Sequence, residues 1–364
     1  MFRIRRTILS AIALASVVVL AACSSTPATN SKDPATVSKT ATTLPAELRF
    51  GYFPNFTHAV AMVALEKGYL AKRLGPKVKI TPLTFNAGPA AVEAIFANSV
   101  DVSLIGPNPT ITGFTQSQGA ALEVIAGASS GGAALVVRGG INSVKDLKGK
   151  TIASPQLGNT QDVALRYWLK QHGLKTTAEG GGDVNIVPQD NGTALTAFES
   201  GKIDGAWVPE PWVTRMVAEG HGKILVNEAS LWSGGKFVVA NTVAATPFAK
   251  QYPAAITAVV AAEMDAVAFI QAHPTEAKAL VNANIKALTG SSIAPANLEA
   301  AWKNVDFTID PLPATLLASA QHAHSVGLLD SYDLKGLYSL GALNALLTRA
   351  GQKSVTVPAA VKAQ

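Results

Sequence analysis

Short runs of β-branched and other apolar residues alternate along most of the chain with Ala-rich stretches of helical length, and Gly, Pro, Asn and Asp separate the two. This alternation is typical of an α/β protein. After Pro253 the strand signals fade, which predicts a helical C-terminal region broken at residues 290–292, 311–313 and 327–331. The predicted strands are residues 48–53, 78–83, 102–105, 122–126, 134–137, 151–153, 185–187, 205–208, 224–226 and 237–240.

The length of 364 residues indicates two lobes, because a single hydrophobic core stops growing at roughly 250 to 300 residues. The apolar segments 135–137 and 237–239 are the candidate crossovers. If the chain crosses there, residues 45–136 plus 240–364 form the first lobe and residues 137–239 form the second. A cleft then lies between the lobes, with two hinge crossovers at its base.

The N-terminus has the pattern of an export signal. Residues 1–6 carry three arginines and no acid, and residues 7–22 form an uncharged apolar run. This pattern predicts a signal peptide over residues 1–22. The Leu-Ala-Ala-Cys sequence that ends at Cys23 resembles a bacterial lipobox, which implies cleavage before Cys23 and lipidation of its sulfur. An ordinary signal peptide or a short membrane anchor, with a chance cysteine, is the alternative. Residues 23–44 would then be the lipidated cysteine and a flexible tether rich in Ser, Thr, Ala and Pro.

Composition and charge narrow the function classes. Lys and Arg total 30 against 24 acids, but the excess is not clustered, so we expect no nucleic-acid binding. The single cysteine excludes disulfides and Cys-rich zinc sites. The histidines are scattered, and His322 and His324 are two residues apart, which aims them at different helix faces. Known catalytic and nucleotide-binding motifs are missing from the sequence, so we expect no enzyme activity, metal or cofactor.

A strand that runs into a polar loop and then a helix recurs along the chain. The loops are residues 53–58, 86–89, 106–110, 156–161 and 189–193, which are rich in Gly, Pro, Asn, Ser or Thr and have few charges. In an open α/β sheet such loops face the ligand crevice, and the free N–H groups at helix starts bind oxyanions. Ordinary helix capping explains any single loop equally well. Several loops aimed at one crevice favour an anion site.

Glu210 lies between two prolines, with Trp207 and Trp212 beside it. Aromatic walls around one fixed carboxylate indicate a pocket for an amine, amide or hydroxyl. The alternative is that Glu210 caps the helix that follows Pro211 and that the tryptophans are core residues. The sequence supports both interpretations equally.

Taken together, these motifs resemble the substrate-binding lipoproteins of ABC importers in the nitrate/sulfonate/taurine family. The resemblance covers most of residues 46–290; Asn98 and Ser99 stand where the family usually has glycine. It implies a type II periplasmic-binding-protein fold with a cleft that closes on a small anion. The motifs that carry it are Glu-Lys-Gly-Tyr-Leu at 66–70, Asn-Ala-Gly-Pro at 86–89, Gly-Pro-Asn-Pro at 106–109, Asp-Leu-Lys-Gly-Lys at 146–150, Gly-Lys-Ile-Asp-Gly at 201–205 and Glu-Pro at 210–211.

The resemblance also implies which residues bind the ligand. Helix starts, amides and hydroxyls would hold an oxyanion. Phe53 and Trp212 would line the pocket around the organic part of the ligand, and Glu210 would pair with an ammonium group. That pairing favours a zwitterion such as taurine over a bare inorganic anion. The predicted ligand-binding residues are Phe53, Asn55, His58, Asn108, Thr110, Ser129, Ser130, Asn159, Thr160, Gln161, Glu210 and Trp212.

The expected protein is thus a monomer on the extracytoplasmic face of a bacterial cell membrane, held there by a lipid anchor. Its partners would be a small anionic or zwitterionic ligand, best a sulfonate or taurine, and an ABC permease with its ATPase. A nitrate, bicarbonate or thiamine-pyrimidine-precursor binding protein is an alternative, as is a sensor lipoprotein without a transport role. Some thiamine-pyrimidine synthases share the fold, but they are rich in Cys and His, unlike this chain.

Replacing Cys23 by Ala tests the lipid anchor. Without the acceptor sulfur we expect the protein to leave the membrane fraction or to accumulate unprocessed, because acyl chains supply about 0.8 kcal/mol per buried methylene. Fractionation and intact-mass measurement of both chains report this. A processed Cys23→Ala product that stays in the membrane fraction would refute lipidation.

Overall fold

A computed structural model of the protein describes residues 43–361. The predicted signal peptide, Cys23 and the tether up to residue 42 lie outside the described residues. The strands are β1 (Glu47–Tyr52), β2 (Lys79–Thr84), β3 (Val102–Ile105), β4 (Leu122–Gly131), β5 (Ala133–Val137), β6 (Thr151–Ser154), β7 (Asn185–Pro188), β8 (Gly205–Pro209), β9 (Lys223–Asn227), β10 (Val238–Ala245) and β11 (Val305–Phe307).

The strands form two sheets, one in each lobe. The first sheet has the order β11-β4-β10-β3-β1-β2, and the second has the order β7-β6-β8-β5-β9. Strand β1 is parallel to β2 and β3, and β6 is parallel to β7 and β8. The crossover strands β5 and β10 run antiparallel to their neighbours. The parallel strands therefore end at the same edge of each sheet, where the polar loops begin.

Helices fill the segments between the strands and the whole C-terminal region. Several begin with proline in the first turn, where the missing N–H costs nothing. Gly290, with φ of 79°, ends one of them at the predicted break. The helices are α1 (Ala59–Glu66), α2 (Tyr69–Leu74), α3 (Gly88–Phe96), α4 (Pro107–Gln116), α5 (Thr160–Gln171), α6 (Asn191–Glu199), α7 (Trp212–Ala218), α8 (Thr246–Gln251), α9 (Pro253–Ala272), α10 (Pro274–Thr289), α11 (Pro295–Trp302), α12 (Pro313–Ser325) and α13 (Gly341–Arg349).

Each lobe has its own hydrophobic core. The first sheet and the C-terminal helices share one large core, whereas the second sheet carries a separate core on each face. Helix α9 is long and apolar enough to cross a membrane by length and composition alone. It packs against α1, α2 and α13 with Val259, Val260 and Ala266 buried, as expected for a core helix of the first lobe.

The structure places the crossings between the sheets at residues other than those predicted. Residues 133–136, expected in the first lobe, belong to β5 of the second sheet, and residues 238–239, expected in the second lobe, belong to β10 of the first. The chain first crosses at Gly132, and the second crossing, back to the first sheet, lies between β9 and β10. Gly131 and Gly132 have φ of 79° and 73°, a region that side chains disfavour. A glycine pair makes the turn, and the apolar segment beside it is simply the next strand.

Strands β4 and β10 extend beyond their predicted ends, and β11 was not predicted. Residues 127–131 of β4 are Gly, Ala, Ser, Ser and Gly, types that have little strand propensity by themselves. They are strand because β10 and β11 pair with them on both sides. Partners distant in the sequence supply that pairing.

Glu263 of α9 is a carboxyl group buried beneath the first sheet. Both of its oxygens lie within hydrogen-bond distance of the Thr242 hydroxyl on β10, at 2.9 and 3.0 Å. Burial raises its pKa from 4.5 to about 8, so the group is predominantly neutral at pH 7. A protonated acid is tolerated in the core because its polar atoms are hydrogen-bonded.

Replacing Glu263 by Gln should remove one pH dependence of stability. The folded-state pKa lies above the unfolded value, so this stabilisation is complete below about pH 4.5 and is lost as the pH rises through 8. In urea titrations, the difference in unfolding free energy between the unmodified chain and Glu263→Gln should fall on the order of 1 kcal/mol per pH unit across that window. Burial also raises the pKa of Glu228, which follows β9, to about 7, but Glu228 is present in both chains and its contribution cancels from the difference. A difference that stays constant with pH would contradict the assignment.

Candidate functional site

The starts of three helices meet where the two lobes face each other. Helices α3 and α4 follow the parallel strands of the first sheet, and α5 follows β6 of the second. A Cβ atom on Gly106 would lie 2.4 Å from Thr160 Oγ1, and one on Gly88 would lie 3.1 Å from Asn159 Oδ1. The lobes are thus closed on each other, and the absence of a side chain at these glycines permits the approach.

Thr160, the first residue of α5, contributes a hydroxyl to this meeting point. The residue is 5% exposed, and its Oγ1 has no hydrogen-bond partner among the described residues. Buried hydroxyls are normally paired because leaving one unpaired costs free energy. Thr160 Oγ1 is therefore an available donor, next to backbone N–H groups of helix starts that favour negative charge.

A cavity of about 430 Å³ opens between the lobes. Its first-lobe wall includes Phe53, Asn55 and Asn86, and its second-lobe wall includes Asn191 and Trp212. Two aromatic rings with several amides match the usual composition of a site for a small organic molecule. The predicted residues Phe53, Asn55 and Trp212 are brought together here.

Asn159, Thr160 and Gln161 lie together at the start of α5. All three are buried, and Asn159 Nδ2 donates to Gln161 Oε1 at 3.3 Å. They face the first lobe at the glycine contacts described above.

Other predicted residues make hydrogen bonds within the protein. His58 Nδ1 accepts from the Phe53 N–H at 3.1 Å, and the two rings stack with centroids 4.2 Å apart. Burial lowers the His58 pKa to about 3, so the ring is neutral. Asn108 Nδ2 donates to Ser319 O of α12 at 3.0 Å, and Thr110 Oγ1 donates to Gly106 O at 2.9 Å. These side chains shape the loops that carry the site.

Ser129 and Ser130 connect the first sheet to its surroundings. Ser129 Oγ donates to Thr57 O at 2.6 Å, and Ser130 Oγ accepts from the Phe237 N–H at 3.2 Å. Both hydroxyls are engaged beside the crossings. They position the loop at residues 55–58 and the second crossing, and neither lines the 430 Å³ cavity.

Glu210 lines a different, smaller cavity of about 210 Å³. Its carboxylate accepts from Thr214 N at 3.1 Å and Thr214 Oγ1 at 2.9 Å, as a helix cap does, and from Asn304 Nδ2 at 2.6 Å. Burial raises its pKa, and these hydrogen bonds oppose the shift. Trp207 is fully buried in the second-lobe core. The placement favours the capping interpretation over an ammonium site.

Arg215, which is not among the predicted ligand-binding residues, also lines the 430 Å³ cavity. Its guanidinium lies 5.2 Å from the centre of the Trp212 ring and pairs with Glu219 at 2.8 Å. The signal was available, because residues three apart on a helix share a face and Trp212 was already singled out. Arg215 is paired with Glu219, and Asp190 and Glu199 also line the cavity, so this wall has no net positive charge.

Residues 41–289 match the NMT1-like family. The chain belongs to this family. A protein of Escherichia coli K12 named for binding aliphatic sulfonates is 28% identical over 241 residues, which is 65% of this chain and 71% of that protein. The taurine-binding periplasmic protein of the same strain is 29% identical over 206 residues, 57% of this chain and 61% of that protein.

Solved structures show the same architecture. The periplasmic aliphatic sulphonate-binding protein SsuA of Escherichia coli aligns with a TM-score of 0.61 at 25% identity, over 79% of this chain and 95% of that chain. The alkanesulfonate-binding SsuA of Xanthomonas axonopodis pv. citri, bound to MOPS, aligns with a TM-score of 0.66 at 23% identity over the same shares. These findings confirm the predicted two-lobe α/β fold and the resemblance to sulfonate- and taurine-binding proteins.

Replacing Gly106 by Ala should block lobe closure without unfolding either lobe. The new Cβ would meet Thr160 Oγ1 of the other lobe at 2.4 Å. We expect small-angle X-ray scattering to show a larger radius of gyration with unchanged urea unfolding, and Thr160→Ala in the same chain should restore the compact form.

Gly113→Ala, in the helix α4 that follows Gly106, is the matched control. Its Cβ would meet Val92 Cγ1 of the same lobe at 2.7 Å, so this change should lower the unfolding free energy by about 1–3 kcal/mol and leave lobe closure unchanged. An unchanged radius of gyration for Gly106→Ala would show that the glycine contact does not limit closure.

Proposed function

We propose that this protein is the extracytoplasmic solute-binding component of an ABC importer. It captures a small organic anion, best a sulfonate or taurine, between its lobes and delivers it to a membrane permease driven by an ATPase. Family membership and the sulfonate- and taurine-binding relatives support the class of protein. The signal-peptide pattern and Cys23 support export and lipid anchoring.

The observation that best supports this proposal is that three helix starts meet at the seam, the surface along which the two lobes contact each other. Two of them belong to the first lobe and one to the second, and the unpaired Thr160 hydroxyl lies among them. An oxyanion held there accepts hydrogen bonds from both lobes at once. Such a ligand binds the closed form better than the open form and so shifts the population toward closure.

The aromatic cavity favours an organic anion over nitrate or bicarbonate. Its volume of about 430 Å³ exceeds what an ion of a few atoms fills, and Phe53 and Trp212 offer apolar surface to a carbon chain. Arg215 is paired with Glu219, so the negative charge would be stabilised mainly by N–H dipoles and hydroxyls. A sulfonate, with three acceptor oxygens on one tetrahedral group, suits such donors.

A thermal-shift screen tests the ligand class. The probes are taurine, 1-propanesulfonate, nitrate, bicarbonate, sulfate, methylphosphonate and a thiamine pyrimidine. We expect the sulfonates to raise the unfolding midpoint most, since a ligand at about 100 times its dissociation constant stabilises the native state by about 2.7 kcal/mol. Thr160→Val should reduce that shift.

Thr246→Val is the matched control for Thr160→Val. Thr246 also begins a helix, α8, and its buried hydroxyl likewise has no partner among the described residues, but it lies outside the meeting point. Thr246→Val should therefore leave unchanged the rise in unfolding midpoint that the sulfonates cause. If nitrate alone raises the unfolding midpoint, the ligand is an inorganic rather than an organic anion. If no probe raises the midpoint, the proposed ligand class is refuted.

A further inference from the structure

Glu210 joins the two lobes near the first crossing. Its backbone N–H donates to Gly132 O at 2.7 Å, and its backbone carbonyl accepts from Phe56 N at 3.2 Å. Its carboxylate accepts from Asn304 Nδ2 at 2.6 Å. Phe56 and Asn304 are first-lobe residues, whereas Glu210 directly follows β8 of the second lobe. One residue thus makes three contacts across or beside the seam.

The two partners of the carboxylate contact differ in exposure. Glu210 is 1% exposed, whereas Asn304 lies at the surface between α11 and β11. Asn304 therefore covers a carboxylate that would otherwise lose water without a replacement when the lobes close. A hydrogen bond to an ionised group is stronger than a neutral one, and leaving such a group buried without it is costly.

Within its own lobe, Thr214 holds the same carboxylate in place. Thr214 N donates to Oε2 and Thr214 Oγ1 donates to Oε1, and neither bond requires the first lobe. The acceptor is therefore oriented before the lobes meet. With Asn304 added, Glu210 accepts three hydrogen bonds, which occupies most of the capacity of a carboxylate.

We propose that Asn304 and Glu210 form a polar lock that holds the lobes closed, with Glu210 a positioning residue for closure and no contact of the ligand. The inference rests on the proposed function, since closure matters where a ligand is held between the lobes. The lock acts on every ligand of the cleft alike, because it changes the fraction of closed protein and the apparent dissociation constant scales inversely with that fraction.

Two single variants and their combination test the lock. Asn304→Asp places a second carboxylate against Glu210, and Glu210→Gln removes the charged acceptor. In the double variant, the amide introduced at position 210 can donate to the carboxylate introduced at position 304, which restores the contact with donor and acceptor exchanged. Taurine and 1-propanesulfonate are the probes, because they have similar size and only taurine carries an ammonium group.

We expect each single variant to weaken both probes about tenfold or more, as the loss of one charged hydrogen bond implies, and the double variant to recover most of the affinity for both. Asn297→Ala is the matched control. Asn297 also reaches a second-lobe carboxylate, Glu219, but at 3.5 Å and at an exposed partner, so it should change neither dissociation constant.

Lobe separation is measured independently of binding. Phe96 of the first lobe and Leu157 of the second are exposed and line one groove. Spin labels on cysteines at these positions, in a chain with Cys23→Ser, report the distance between the lobes with and without probe. Asn304→Asp should lengthen it with unchanged urea unfolding, and the double variant should restore it. Glu210→Gln also loses a hydrogen bond to Thr214, so its urea unfolding serves as the reference for the double variant.

Two results would overturn the lock. One is an unchanged label distance with unchanged dissociation constants in Asn304→Asp. The other is a loss of affinity for taurine but not for 1-propanesulfonate that the double variant does not restore. That result would indicate that Glu210 is the partner of the taurine ammonium group. If the unmodified chain binds neither probe, the sulfonate proposal fails, and the label distances still decide whether the lock exists.

Discussion

The starts of α3, α4 and α5 approach one another because residues 88 and 106 have no side chain where the lobes touch. Each helix start carries a partial positive charge, and three brought together repel one another. In the proposed function, a negative group among them converts this repulsion into attraction and accepts hydrogen bonds from both lobes. One contact would then couple closure to anion capture, because the glycines set the distance between the helices and the helix starts favour negative charge.

The rest of the seam supports this contact at both crossings. Near the first, Glu210 contacts Asn304 and Phe56. Near the second, the His322 ring of α12 stacks on Tyr167 of α5 with centroids 3.7 Å apart and lies 5.4 Å from Trp232. Burial lowers the His322 pKa to about 4, so the stacked ring is neutral at physiological pH. The lobes thus meet through oriented polar and aromatic groups.

Net positive charge is absent from the described lining of the 430 Å³ cavity, because Asp190 and Glu199 line it together with Arg215. Burial keeps Glu263 protonated in the core, His58 is neutral beneath its loop, and Arg215 is paired with Glu219. The remaining attraction for an anion comes from N–H groups, amides and hydroxyls. Such donors discriminate by geometry more than by net charge, which suits a tetrahedral headgroup with an organic tail. This is the chemistry that the proposed importer component requires.

Local patterns in the sequence determined the α/β class, the approximate positions of strands β1 to β10, the helical C-terminal region and the polar loops. They could do so because apolar periodicity and the breaks made by glycine and proline act over a few residues. Phe53, Asn55 and Trp212 were predicted through the family resemblance, and the structure places all three at the 430 Å³ cavity. Only the tertiary structure decided the crossing at Gly132, the strand β11, and the use of His58, Asn108 and Ser129 as internal hydrogen-bond partners. It also assigned Glu210 to Asn304, since residues 94 positions apart meet only when both lobes are folded and closed.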